Sequence, residues 1–115
     1  MGNANTNNIQ ITIDTKYSIL ENLIKDFTKN IESLKRVKIN SYEDFEKCEC
    51  NQRILNIEMK INEELIKIRN YVLNNSSNIN EYTKSNIKLK KYVFDIQEIT
   101  QEYFEIIKKK TKCFI

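Results

Sequence analysis

Between residue 3 and residue 115 the chain contains neither glycine nor proline; its single glycine is Gly2. Those two residue types make most tight turns, glycine because it takes positive φ freely and proline because its ring pre-sets the turn angle. A β-sandwich or barrel must turn every few residues, so their absence argues against any sheet architecture. A helical fold needs few turns. At 115 residues the chain makes one domain with a small core.

Hydrophobic spacing agrees with helices. Residues 1–12 are polar and Asn-rich, with alternation only at Ile9, Ile11 and Ile13 and no second strand to pair with, so they are expected to form a flexible leader. From Asp14, a candidate N-cap, the positions Ile13, Tyr17, Leu20, Ile24, Phe27, Ile31 and Leu34 recur at alternating steps of 4 and 3, the repeat of a coiled-coil seam. Leu23 and Val37 widen that stripe. This first helix should end near Ile39-Asn40, where Ser41 followed three residues later by Asp44 has capping-box spacing. Glu43, Asp44 and Glu46 then fall near the positive end of the next helix dipole.

A second seam runs much further. Stepping 4 and 3 from Ile61 gives Ile61, Leu65, Ile68, Val72, Asn75, Ile79, Tyr82, Asn86, Leu89, Val93, Ile96, Thr100, Tyr103 and Ile107, of which eleven of fourteen are apolar or aromatic. The phase crosses the weak helix formers of residues 74–78 without a break. Upstream, Ile54 with Ile57 and Leu55 with Met59 form two overlapping stripes, which suggests a stutter or more than one contacting surface. If the helix is continuous from Ser41 to Lys110 it is roughly 100 Å long, and a first helix a third of that length cannot cover its seam. The expected fold is therefore all-α: a short N-terminal helix and a long one, elongated and of coiled-coil type, with a break at 74–80 as the variant. The helical domain spans residues 13–110, and residues 111–115 form a tail. Ile24, Phe27, Ile31, Leu34, Ile61, Leu65, Ile68, Val72, Leu89, Val93 and Ile96 are the expected interface with other helical subunits, in a hetero-oligomer. The competing arrangement is a three-helix bundle that breaks at 74–80 and folds back on itself. Asn75, Asn86 and Thr100 would set register in the first case and lie at a wet edge in the second.

Chemistry has little to work with here. There is no His, and the cysteines are Cys48, Cys50 and Cys113. On a helix, Cys48 and Cys50 would point about 200° apart, and no other ligands complete a zinc site. Cys has no base partner and there is no Gly-rich phosphate or oxyanion loop. The expectation is no enzyme, no metal, no cofactor and no small-molecule substrate. Carboxylates have lysine partners at i, i+4, as in Glu21–Lys25 and Glu63–Lys67, the pattern of a solvated helix face. Net charge is +3, spread too evenly for a nucleic-acid stripe. No apolar run approaches the ~20 residues of a membrane span, and the odd cysteine count without a secretory segment points to the cytoplasm.

Two features point to a membrane surface instead. MGNANT fits M-G-x-x-x-[ST], which makes Gly2 a candidate for N-myristoylation. The other end reads KKKTKCFI. Lys108, Lys109, Lys110 and Lys112 could face anionic lipid, and Cys113 is a candidate for reversible acylation. Only Phe114 and Ile115 follow that cysteine, one residue short of a prenylation box. One myristoyl chain binds membranes with K of about 10⁴ M⁻¹, so residence needs a second signal, either the basic tail or assembly with other subunits.

Residues 51–66, NQRILNIEMKINEELI, are similar to a segment of KxDL-motif proteins, with Leu55, Lys60, Asn62, Glu63 and Leu65 at matching offsets. About thirty residues on, Val93 to Ile99 resembles the family's K-x-D-L-D-x-I through Asp95, Ile96 and Ile99, although Val93 stands where the family has its lysine and Lys90 and Lys91 are displaced. The resemblance implies a subunit of the elongated helical complexes, of the BLOC and BORC kind, that build or position lysosome-related organelles. It agrees with the expectation drawn from the residues: a non-catalytic helical subunit of a peripheral-membrane trafficking complex on the cytosolic face of an organelle. The alternative is a self-contained three-helix module, membrane-anchored, with a scaffold or signalling role.

Overall fold

α1 (Gly2–Arg36) buries the first stripe much as its spacing predicts. Tyr17, Leu20, Phe27, Ile31 and Leu34 are buried, and Ile13, Leu23, Ile24 and Val37 are half-buried against them. The computed structural model describes the backbone of residues 2–112 and the side chains of residues 11–112. After α1 come α2 (Tyr42–Lys47), α3 (Glu49–Asn75) and α4 (Ile79–Thr111). Among the described residues there is no strand, and the fold is all-α.

The expected leader over residues 1–12 is instead helical from Gly2, so Asp14 lies inside α1 and is not its N-cap. Once the packed stretch beyond Ile13 has nucleated the helix, each residue added toward the N-terminus needs no new nucleus. α1 ends at Arg36, and Val37 N–H donates to the Leu34 carbonyl at 3.2 Å. Ser41 caps α2 as its spacing suggests: its hydroxyl accepts from Asp44 N–H at 3.1 Å, while the Asp44 carboxylate accepts from Asn40 N–H at 3.2 Å.

The long helix expected over 41–110 is broken twice. Cys48 takes an extended conformation, φ −65° and ψ 115°, between α2 and α3. The second break, at Ser76 to Asn78, is the variant foreseen at 74–80. There Ser76 is extended, and the Asn78 side chain accepts from Glu81 N–H at 2.9 Å. Glu81 reaches back to accept from Ser77 N–H at 3.1 Å and from the Ser77 hydroxyl. This is a capping-box arrangement shifted by one residue, since Glu81 takes the N–H of the residue before the N-cap, and it supplies at a helix start hydrogen bonds that a continuous helix would make internally. The same Asn and Ser residues that are poor in a helix interior are good at its ends, which is why the chain turns here although the seam keeps phase.

The second break lets the seam be satisfied within the chain. Tyr17 of α1 stacks on Tyr92 of α4 with ring centroids 5.1 Å apart, and further along Lys35 pairs with Glu102 at 2.5 Å, so α1 and α4 run parallel. α3 runs antiparallel to both: Lys16 of α1 lies 5.7 Å from the ring of Tyr71 near the end of α3, and Asn51 near its start bonds Tyr103 of α4. Ile54, Ile61, Ile68 and Val72 of α3 and Leu89, Ile96, Tyr103 and Ile106 of α4 close the core with α1. The bundle measures 62 × 20 × 17 Å, well short of the roughly 100 Å that one continuous helix would span. α1 and α3 form the tightest pair, and α4 packs less closely on both. Ile79, a seam position by spacing, is 78% exposed, because it is the first residue after the turn and has left the core face.

Candidate functional site

The looser seating of α4 leaves a groove between α3 and α4. It is lined by Glu58, Asn62 and Leu65 from α3 and by Val93, Ile96, Gln97, Thr100, Gln101 and Phe104 from α4, and holds about 390 Å³. Its floor is apolar, through Leu65, Val93 and Ile96, and its upper walls carry carboxylate and amide groups. Beside it, Leu55, Met59, Ile66 and Leu73 of α3 are 47–63% exposed. These four fall within about 40° of one another at 100° per residue, roughly 130° around the helix from the buried row of Ile54, Ile61, Ile68 and Val72. The two overlapping stripes noted upstream of Ile61 are thus two faces of one helix, one turned inward and one left open. On the far bank Phe94 and Phe104 are 58% and 55% exposed. Single exposed apolar side chains are ordinary, whereas a row along ~27 Å of helix beside a groove is a candidate for a contact surface.

Most of the residues expected to join other subunits lie in the core instead. Phe27, Ile31, Leu34, Ile61, Ile68, Val72, Leu89 and Ile96 are buried inside the bundle, and Ile24, Leu65 and Val93 are half-buried at its margins. The requirement for a second chain to cover that seam therefore falls away, because the turn at Ser76 to Asn78 returns α4 to α1 and α3. Of the expected set, Leu65, Val93 and Ile96 reach the α3–α4 groove. Gly2 is the first residue of α1. Cys113 lies outside the described residues. Lys108, Lys109, Lys110 and Lys112 sit where α4 ends beside the end of α1, and Lys109 and Lys110 share a surface pocket with Lys35. Lys110 is not free for lipid: its ammonium donates to the main-chain carbonyls of Lys35 at 3.1 Å and Val37 at 2.6 Å, capping α1. The Glu102 carboxylate, then that of Glu32, holds Lys35 above the usual lysine range. The pairs Glu21–Lys25 and Glu63–Lys67 do not form. Lys67 bonds Glu64 at 3.3 Å, and Glu21 accepts from the Tyr92 hydroxyl.

Three polar details at the helix contacts escape a reading by spacing. Asn51, 5% exposed, accepts from the Tyr103 hydroxyl across the α3–α4 contact. Burial, followed by the charge of Glu58, pushes the Tyr103 phenol up to about 12. The Tyr17 hydroxyl is buried without a hydrogen-bond partner, and burial raises its pKa as well. Cys48 and Cys50 do not diverge as they would on a regular helix; their sulfurs are 3.1 Å apart. The extended backbone at Cys48 accompanies that approach, and nothing in the residue spacing signals it.

Among the described residues no helix is long and apolar enough to cross a membrane, and no group of three or more His, Cys, Asp or Glu could hold a metal ion. Among the described residues, the fold is a three-helix bundle with a row of apolar side chains left exposed on α3. No protein-family model, curated protein or solved structure matches the chain.

Proposed function

We propose that this protein is a non-catalytic helical scaffold at the cytosolic surface of an organelle membrane, joining its partner by packing an amphipathic helix of that partner onto the α3–α4 face. The observation that carries this function is the row Leu55, Met59, Ile66 and Leu73 beside the α3–α4 groove. A helix laid there would add a fourth member to the bundle, burying apolar side chains that now face water. A myristate on Gly2, with Lys108, Lys109 and Lys112 as a second contact, supports membrane residence. Because α1 starts at Gly2 and the lysines lie at the end of α4, the two signals sit at opposite ends of a 62 Å rod, and both engage only if the rod lies along the membrane. A bundle that buries its own seam favours the self-contained module. The reading as a trafficking-complex subunit of the KxDL kind draws on the resemblance over residues 51–110, and the open face favours it to the extent that such a subunit needs partners.

A photoreactive amino acid at Met59 or Ile66, compared in cells with one at Lys29 on the exposed side of α1, tests the docking face. A discrete adduct from Met59 and Ile66 and none from Lys29 is the expected result. Equal labelling at all three positions, or none, rejects the face. Membrane fractionation of Gly2→Ala tests the anchor separately, and an unchanged distribution removes the lipid from the proposal.

A further inference from the structure

The joint between α2 and α3 holds the two sulfurs in an arrangement that a C-x-C pair does not reach on a helix. α2 ends at Lys47, α3 begins at Glu49, and Cys48 between them is extended. Its sulfur lies 3.1 Å from that of Cys50, about 1 Å beyond the ~2.05 Å of a disulfide bond. The joint is braced on both sides. Cys48 N–H donates to the Phe45 carbonyl at 3.2 Å, the Cys48 carbonyl accepts from Gln52 N–H at 3.1 Å, and the Gln52 side-chain amide reaches the Glu46 carbonyl at 3.1 Å. Cys48 is half-buried, so an oxidant in solution can reach it, whereas Cys50 is 7% exposed and faces inward beside Asn51. No third ligand stands near enough to make the pair a metal site among the described residues.

We propose that Cys48 and Cys50 form a reversible dithiol–disulfide site whose closure fixes the α2–α3 joint. The oxidant is a small-molecule disulfide such as oxidised glutathione. Cys48, as thiolate, attacks one glutathione sulfur; the glutathione S–S bond breaks, one glutathione thiolate leaves, and Cys48 carries the mixed disulfide. Cys50 then loses its proton to solvent and attacks the Cys48 sulfur, expelling the second glutathione thiolate. Two protein thiols and one oxidised glutathione become one protein disulfide and two reduced glutathiones: two electrons pass from the protein sulfurs, and the two protons lost end on glutathione. The order of the two steps follows from access, Cys48 being half-buried and Cys50 buried; burial, then the hydrogen bond with Cys48, pushes the Cys50 thiol up to about 11. In the disulfide the Cys48 backbone can no longer straighten into a helix running from α2 into α3. Reduction restores that freedom next to the Asn51–Tyr103 contact that seats α4.

The test uses the full chain carrying Cys113→Ser, equilibrated with reduced and oxidised glutathione at stepped ratios, quenched with acid, alkylated and weighed intact. The expected product has lost two hydrogens, carries no glutathione, is independent of protein concentration, and maps to a peptide linking residues 48 and 50. Half-oxidation should need at least about tenfold less oxidised glutathione, at fixed reduced glutathione, than the same chain in urea, a difference of about 30 mV for two electrons. Cys50→Ser should instead accumulate glutathione on Cys48. The proposal is overturned by any of three results: both thiols stay alkylatable where the urea-unfolded chain is oxidised, folded and unfolded chains oxidise alike, or the product is an intermolecular dimer or a stable mixed disulfide.

Discussion

Replacing Tyr103 by Phe removes one oxygen from the contact between α3 and α4 and leaves the rest of the ring in place. Tyr103 is 4% exposed and Asn51 is 5% exposed, so the Asn51 carbonyl oxygen that now accepts from the phenol would remain buried. Leaving a buried acceptor unsatisfied costs about 1–3 kcal/mol, whereas removing both partners is close to neutral. Tyr103→Phe should therefore destabilise the bundle by about 2 kcal/mol, and the pair Tyr103→Phe with Asn51→Leu should recover most of that loss. Urea unfolding followed by far-ultraviolet circular dichroism measures both. With a denaturant slope of about 2 kcal/mol/M, the single variant should lower the midpoint by about 1 M. The double variant should return to within about 0.3 M of the parent on the same slope. If the single variant unfolds with the parent, or the double falls below the single, the hydrogen bond does not anchor α4.

Asn78→Ala removes the side-chain acceptor for Glu81 N–H at the start of α4 and should cost about 1 kcal/mol; limited proteolysis should then cut first at residues 76–78. Lys110→Met keeps the aliphatic stem but leaves the Lys35 and Val37 carbonyls without their ammonium. A loss of roughly 1.5 kcal/mol is expected for hydrogen bonds to a charged group, with less salt dependence than removal of a surface ion pair, and urea melts at two salt concentrations decide it. The fold should also be sensitive to alkali. Tyr103 and Tyr92 are both raised to about 12, each by burial first, with the Glu21 hydrogen bond adding to the shift at Tyr92. A group whose folded pKa is raised lends its full stability below the unfolded value of ~10 and loses it as pH climbs through ~12. Phenolate absorbance should show these tyrosines titrating late or together with unfolding, at a loss on the order of 2–3 kcal/mol for Tyr103; titration of all six tyrosines in one step near ~10 with the fold intact would contradict it.

The spacing of apolar residues determined helix type and inward face before any tertiary contact was known. Tyr17, Leu20, Phe27, Ile31 and Leu34 are buried because a 4–3 step places them on one side of any helix. Ser41 and Asp44 marked a helix start because capping is a matter of a few adjacent residues. By the same logic Asn78 and Glu81 were available as a second capping box, although the unbroken phase of the seam suggested continuity across them. Periodicity within a helix says which face is apolar, but it is silent on what covers that face: a second chain and a folded-back α4 satisfy the same pattern. That choice lay with the turn at Ser76 to Asn78, whose caps let the chain reverse. Once α4 lay against α1 and α3, the expected intermolecular seam became a core, the second stripe of α3 was left open, and Lys110 was drawn onto the end of α1. The approach of Cys48 to Cys50 likewise depended on one extended residue between two helices. Local chemistry settles the helices and their caps over a few residues, but one or two extended residues at a joint redirect everything after it, and only the packed structure fixes their conformation.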